Sequence, residues 1–310
     1  MKDKFGREID YLRISVTDLC NLRCRYCMPE TGITKNSHEN ILSVEEIIQA
    51  AQAASELGMH KIRITGGEPL VRKGIIGICE GISEAGDIRE LCMTTNGVLL
   101  PRYADRLKQA GVDRLNISLD TLDPAKYRYI TRAGELREAL AGIDAADKAG
   151  FTGTKINAVL IDGFNTDEIQ AFAEFSKERS VEVRFIELMP IGEAKEKNRF
   201  TSAGNIISGL EDYSFAGMDG VAAMYENSSS RIGFITAVSC GFCGSCNKLR
   251  LMADGYIRTC LYGDDGICIK GCDKNSMKEA FVSAISQKPK SKETFGNEAS
   301  DMRKMNRIGG

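Results

Sequence analysis

The chain has no tryptophan, six prolines and only two histidines, His38 and His60, in 310 residues. So few histidines work against the mixed Cys–His sites that zinc often occupies. His60 is expected to close a helix, and His38 to be a solvated residue of a polar loop, within reach of Cys27 as a fourth ligand. No run of about 18 apolar residues occurs, so no membrane-spanning helix is expected. The opening stretch MKDKFGREID lacks the apolar core of an export signal, which points to a cytoplasmic protein. A net charge of -2 argues against a bulk nucleic-acid binder. With 43% hydrophobic and 27% charged residues, the chain has the composition of a soluble globular protein.

Up to about residue 190, strand-like and helix-like stretches alternate. YLRISVT reads as a strand running into the first cysteines. SVEEIIQAAQAASELG reads as a helix, with Ser43 as its cap, Glu46 three residues on and Gly58 as its stop. KIRITG, LCMTTN, RLNISLD, TKINAVLI and EVRFIELM follow as strands. Between them lie the helical RKGIIGICEGISEAG, PRYADRLKQAG, ELREALAGIDAADKAG and TDEIQAFAEFSKERS. Six βα units in a row predict an α/β fold with a parallel sheet. Right-handed crossovers curl it into a partial (βα)6 barrel of the TIM type. Chemistry in such folds gathers at the C-terminal strand ends, where Cys20, TGGEP, TTNG, SLD and LMPIG all fall. After about residue 195 the rhythm breaks. EAKEKNRFTSAGN reads as a polar linker and RIGFITAVS as a strand. The expected domains are the partial barrel, 1–195, and a smaller irregular domain, 196–310, in which a metal supplies part of the core.

What the chain has in plenty is cysteine, eleven in all. Seven fall in two sets: Cys20, Cys24 and Cys27, then Cys240, Cys243, Cys246 and Cys260. A reducing compartment disfavours disulfides, so the sets read as metal sites. Cys79 and Cys92 lie in apolar stretches and are expected in the core. The first set offers three thiols and no evident fourth donor. Structural zinc asks for four ligands. A [4Fe–4S] cluster on three thiolates keeps one iron open for a chelating small molecule. Gly66 and Gly67, at a strand end, would let the backbone approach a ligand closely. The second set repeats the three-thiol pattern in Cys243, Cys246 and Cys260. Cys240 adds a fourth thiol that would close the site, and is expected to stay free. Cys268 and Cys272 find no place in this scheme.

Cys20-x3-Cys24-x2-Cys27 after the first strand resembles the signature of the radical S-adenosylmethionine (SAM) superfamily. More specifically, the chain from Tyr11 to Gly310 resembles the GTP 3′,8-cyclases of molybdenum cofactor biosynthesis, the MoaA family. The stretches that carry this are YLRISVTDLCNLRCRYCMP, KIRITGGEPLVR, TTNGVLL, LNISLDTLD, VRFIELMPIG, FCGSCNKLRLMADGYIRTCL and the final IGG. The resemblance implies a first [4Fe–4S] cluster on Cys20, Cys24 and Cys27, where SAM yields a deoxyadenosyl radical. It implies a second on Cys243, Cys246 and Cys260, whose open iron takes the guanine of GTP. It implies that the radical takes hydrogen from C3′ of GTP, which then bonds to C8, the first step towards molybdopterin. It places Tyr26, Gly66, Gly67, Ser118 and Met189 at SAM, and Arg13, Arg63, Thr94, Lys155, Lys248 and Arg250 at GTP. Gly309 and Gly310 would reach into the active site. A low-potential electron donor of flavodoxin or ferredoxin type, a downstream cyclic pyranopterin monophosphate synthase and a homodimer complete the implied partners.

A triphosphate suits this cation set, because Arg and Lys at a dry barrel mouth neutralise it. Taken singly, each is equally read as half of a structural ion pair, and Met189 equally as a core residue. Lys248 stands where the family commonly has Arg, and the C-terminal part reads as short. These departures, with the extra thiols, keep two other readings open. One is a radical SAM enzyme with auxiliary clusters acting on a peptide or another small molecule. The other is a non-catalytic iron–sulfur or zinc protein.

Overall fold

The computed structural model describes all residues except 34–39, 198, 264–265 and 296–310. Its centre is six strands: β1 (Tyr11–Ser15), β2 (Lys61–Thr65), β3 (Glu90–Thr95), β4 (Arg114–Ser118), β5 (Lys155–Leu160) and β6 (Glu182–Glu187). They lie side by side in chain order, all parallel. Polar and apolar residues alternate along them and go to opposite faces. Leu12, Ile14, Ile62, Ile64, Leu91, Met93, Leu115 and Ile117 enter the main core. That core is completed by helices α1 (Val44–Glu56), α2 (Ile75–Ser83), α3 (Leu100–Gln109), α4 (Pro124–Thr131), α5 (Leu136–Lys148) and α6 (Ile169–Glu178). Fully covered parallel strands usually read as continuous apolar runs. Alternation here means that the inner face is built for polar company.

The helix ends follow their sequence signals. Ser43 accepts from Glu46 N and Glu46 answers to Ser43 N, a complete capping box. Gly58 takes φ +88°, the left-handed turn that stops α1. Helix α4 was not expected, yet LDPAKY announces it. Asp123 caps Lys126 N at 2.8 Å and Pro124 opens the first turn.

Beyond residue 195 the chain is more regular than expected. β7 (Ser214–Asp219) and β8 (Ala222–Glu226) form a hairpin, and β9 (Arg231–Ile235) pairs parallel with β6. β10 (Lys248–Leu251) pairs parallel with β1, and the short β11 (Tyr256–Arg258) and β12 (Gly266–Cys268) continue outward. The result is one open twelve-stranded sheet, order β12-β11-β10-β1-β2-β3-β4-β5-β6-β9-β8-β7. The linker stretch contains a short helix, α7 (Ala203–Ile207), and a longer one, α8 (Lys274–Gln287), packs on α1 near the end. Phe185 stacks on Phe234 at 5.4 Å and meets Phe172 edge-on, which welds β9 to β6 and α6.

Candidate active site

The first cysteine set lies on the loop leaving β1, and the rest of the barrel grips that loop. Arg23 N and Arg25 N donate to Thr131 O and Ile130 O at the end of α4. Arg132, held at φ +62°, sends Nη1 to the carbonyls of Arg23 and Met28. A non-glycine residue in that region costs energy, and here the strain aims a guanidinium at the cysteine loop. Gly67 N donates to Thr17 O at 2.7 Å, and Glu68 N to Leu19 O at 2.8 Å. A Cβ on Gly67 would stand 2.4 Å from Leu19 O, and one on Gly66 2.6 Å from Thr17 O. Both glycines are therefore required by the chain's own cysteine loop.

Cys27 N and Met28 N turn back to Cys24 O, a tight turn, and the Cys27 and Cys20 thiols lie close enough to act on that of Cys24. Burial pushes the Cys20 thiol up to about 11. Burial, then the neighbouring Cys27, pushes Cys24 well above the ordinary thiol range. Thiols of this kind ionise on taking a metal. Two buried carboxylates stand close by. Glu68 accepts from Thr95 Oγ1, Asn96 N and Leu70 N, and burial lifts it to about 7. Asp120 accepts from Tyr26 OH at 2.8 Å and from Val159 N, and burial lifts it to about 6. Asn96 donates to Asn21 and approaches Cys20 Sγ at 3.8 Å. Among the described residues no three Cys, His, Asp or Glu side chains converge as on one metal ion. A cluster asks for less, since three separate irons each take one thiolate, and three thiols without a fourth donor fit it.

The second set is gathered by two buried cations. Arg7, fixed by Asp3 at 2.7 Å, donates from Nη1 to Cys243 O at 2.8 Å. Lys288 Nζ donates to Lys248 O and Thr259 O, both at 2.7 Å, the residues flanking Cys246 and Cys260. Burial raises the Cys246 thiol, but Lys288 and then Lys248 outweigh it and bring the group below its ordinary range. Burial raises Cys260. Glu187, at the end of β6, accepts from Val238 N, Ser239 N and Ala203 N, and so fixes the approach to this loop. Cys240 is exposed, 4.0 Å from Ser239 Oγ, and lines a cavity of about 380 Å³ with Phe242, Cys243, Ser291, Lys292 and Glu293. Ile191 and Met252 pack with Cys27, Met189, Leu261 and Tyr262, one small apolar group that includes a first-set cysteine and the residues that follow Cys260. Met189 thus packs on the same apolar pair as Cys27. Cys268 is exposed, and Cys272 packs on the core.

Strand register sets the cations in a row. Arg250 on β10 faces Arg13 on β1, which faces Arg63 on β2. Cys92 and Arg114 extend the row on β3 and β4. Cys92 is buried as expected, but on this polar face, with Sγ 3.3 Å from Glu90, whereas Cys79 lies in the apolar core. Tyr11, which the sequence reading passed over, is the hub. Arg63 Nε donates to its hydroxyl at 2.5 Å, and Lys248 Nζ lies 5.5 Å over its ring. Arg63 Nη1 also reaches Thr94 at 3.4 Å. Burial, then the neighbouring Arg13, pulls Arg250 down to about 9. A second group lies across the sheet. Lys155 pairs with Glu182 at 3.1 Å and with Asp219 at 2.7 Å, so its ion-pair reading holds in this structure. Arg184, also passed over, shares both carboxylates. VRFIE repeats the pattern of LRIS and IRIT and could have revealed it. Asn116 Oδ1 and Asn157 Oδ1 are buried without a hydrogen-bond partner among the described residues, two acceptors ready for a ligand's donors. Ser118 is half-buried at the end of β4. Gly309, Gly310 and His38 lie outside the described residues, and His60 follows α1 with Nδ1 2.8 Å from Asp87 O.

Comparison with known proteins adds to this geometry. A family model described as Radical SAM superfamily matches residues 14–176, and one described as Molybdenum Cofactor Synthesis C matches 181–294. The chain is 44% identical over 321 residues to a GTP 3′,8-cyclase of Alkaliphilus oremlandii, with all of both chains covered. It is 44% identical over 324 residues to that of Moorella thermoacetica, again with full coverage. Among solved structures, Streptococcus suis SuiB bound to S-adenosylmethionine superposes with a TM-score of 0.65 at 14% identity, over 96% of this chain and 67% of that one. Native anSMEcpe with bound AdoMet gives 0.61 at 15%, over 90% of this chain and 81% of that one. These last two establish the fold. Among the described residues no helix is long and apolar enough to cross a membrane.

Proposed function

The chain belongs to the GTP 3′,8-cyclase family of the radical SAM superfamily, and from that premise we propose the parts its residues play. The activity is that of a radical SAM lyase converting GTP to 3′,8-cyclo-7,8-dihydro-GTP, the first step of molybdopterin biosynthesis. A [4Fe–4S] cluster with SAM supplies the radical that takes the C3′ hydrogen of GTP. Cys20, Cys24 and Cys27 would hold that cluster. Gly66 and Gly67 bring the β2 end against the cysteine loop, where SAM would bind. Tyr26, fixed by Asp120, Ser118 and Met189 would border SAM. Cys243, Cys246 and Cys260 would hold a second cluster, with Cys240 outside it. Residues 1–195 would carry the radical half and 196–310 the second cluster and the Gly309–Gly310 tail.

The observation that carries the substrate reading is the side-by-side row Arg250, Arg13 and Arg63 on the inner face. Three adjacent guanidiniums, Arg63 buried and Arg13 and Arg250 part-buried, repel one another, and a bound anion would relieve that repulsion. With Lys248 and Thr94 at its borders, the row would take the GTP phosphates. Lys155 and Arg184 would join once a phosphate competes for them with Glu182 and Asp219. A low-potential flavodoxin or ferredoxin would supply electrons in the cytoplasm. The product would pass to the synthase that makes cyclic pyranopterin monophosphate, and a homodimer is the proposed assembly.

The test is anaerobic. The protein is reconstituted with iron and sulfide, then given SAM and a reductant with or without GTP. Deoxyadenosine formed with GTP, together with a cyclised product of GTP's own mass, supports the reading. Deoxyadenosine without any change in GTP would transfer the substrate site to another small molecule or a peptide.

A further inference from the structure

Lys288, which ties the second cysteine set together, belongs neither to that set nor to the row of cations proposed for GTP. It follows α8, is 2% exposed, and its backbone N–H caps the helix on Ile285 O. Its ammonium donates to Lys248 O, two residues past Cys246, and to Thr259 O, one residue before Cys260. Its charge acts on the nearby Cys246 thiol, whose pKa it pulls down. The charged groups acting on it are Cys246, Cys260 and the like-charged Arg7. Among the described residues it forms no ion pair with a carboxylate. A lysine almost never goes fully inside unless an anion meets it. Two carbonyl dipoles supply part of that compensation, and among the described residues the anions its position offers are thiolates.

We propose that Lys288 is the counter-charge and clamp of the second iron–sulfur cluster. Its ammonium would stand against Cys246 and tie together the chain segments that present Cys246 and Cys260. The proposal rests on the reading that Cys243, Cys246 and Cys260 hold a cluster. Three thiolates on an iron–sulfur core leave an anion, and one more electron makes it more negative. A fixed cation at its sulfur favours the reduced form and raises the reduction potential. Lys288 is thus a positioning and tuning residue that touches neither substrate nor SAM.

The experiment compares unaltered protein, Lys288→Gln and Lys288→Arg, each full-length and reconstituted anaerobically. Iron content is measured, and the clusters are titrated by electron paramagnetic resonance. In Lys288→Gln the second cluster's potential is expected to fall, and its iron to be lost faster to a chelator. The first cluster should be unmoved. Lys288→Arg should keep the potential close to that of the unaltered protein. An unchanged potential and chelation rate in Lys288→Gln would overturn the proposal. Should Lys288→Gln not fold, electron–nuclear double resonance on protein labelled with ¹⁵N-lysine reads the same contact. A lysine nitrogen coupled to the second cluster, retained in Lys248→Arg, supports the proposal, and its absence removes it. If the unaltered protein binds iron for one cluster only, and Cys20→Ala abolishes it, the two-cluster reading fails first and takes this proposal with it.

Discussion

Around Cys20 and Cys24 two buried acids, Glu68 and Asp120, stand with the part-buried guanidinium of Arg23. Around Cys246 and Cys260 the neighbours are bases: Lys288, Lys248 and Arg250. The same three-thiol pattern is thus set in different fields, more acidic around the first set and basic around the second. Acidic surroundings hold a cluster's potential down, which suits a centre that must give an electron away. Basic surroundings favour electron-rich company, which suits a site beside the row of arginines proposed to take the GTP phosphates. The small group of Met189, Ile191 and Met252 lies where the two regions meet, so the difference is kept across a short apolar partition.

The sharpest way to break this contrast is to remove one thiol from each set. Cys24→Ala should abolish deoxyadenosine formation, and Cys246→Ala should leave it measurable while the cyclised product disappears. Mass spectrometry of both products reads this, and equal losses in the two variants would end the division of labour. Next in size, Arg63→Gln removes one cation of the row. The KM for GTP should rise about tenfold, the effect of one charge-assisted contact, with kcat less affected. Steady-state kinetics at two salt concentrations would show whether the loss is electrostatic. Third, Gly67→Ala puts a methyl group against Leu19 O. It should cost roughly 1–3 kcal/mol in urea unfolding and slow iron uptake by the first set. The smallest effect concerns Glu68. Burial raises its pKa from 4.5 to about 7, so the folded chain binds the proton more tightly than the unfolded one. The iron-free protein should therefore lose stability as pH rises from 4.5 to about 7, and hold level above. Asp120 adds a slope of the same sign up to about 6. Glu68→Gln should flatten the larger part, by about 1–3 kcal/mol, in thermal melts across that range.

The barrel was legible because its signals are local. Ser43 and Glu46 announce α1, and strand alternation announces the faces. Helix α4 was readable in principle, since Asp123 and Pro124 form an N-terminal signal, but it is short and follows directly on the β4 loop. The strands beyond residue 195 were harder. β10 through β12 have three or four residues each, too few for a periodic pattern, and pairing with β1 is what defines β10. Candidate residues with a motif were found, whereas Tyr11, Arg184 and Lys288 were not. Each earns its place through register or through a contact with residues far away in the chain. Gly66 and Gly67 were noticed for a ligand, but their demonstrable constraint is the backbone of residues 17–19.

The pairing of β10 with β1 also bears on how the molecule comes into being. Strand β1 leaves the ribosome well before β10 and finds β2 within about fifty residues on the chain, while its other edge must wait for residues 248–251. Until then that edge is an open template for strand pairing, and closing it demands a contact across most of the sequence. Such contacts form slowly. The nascent barrel therefore spends its synthesis time with its cysteine loop already emerged and one flank unguarded. The first cysteine loop is thus in place well before the second, but lasting protection of the sheet must wait for it.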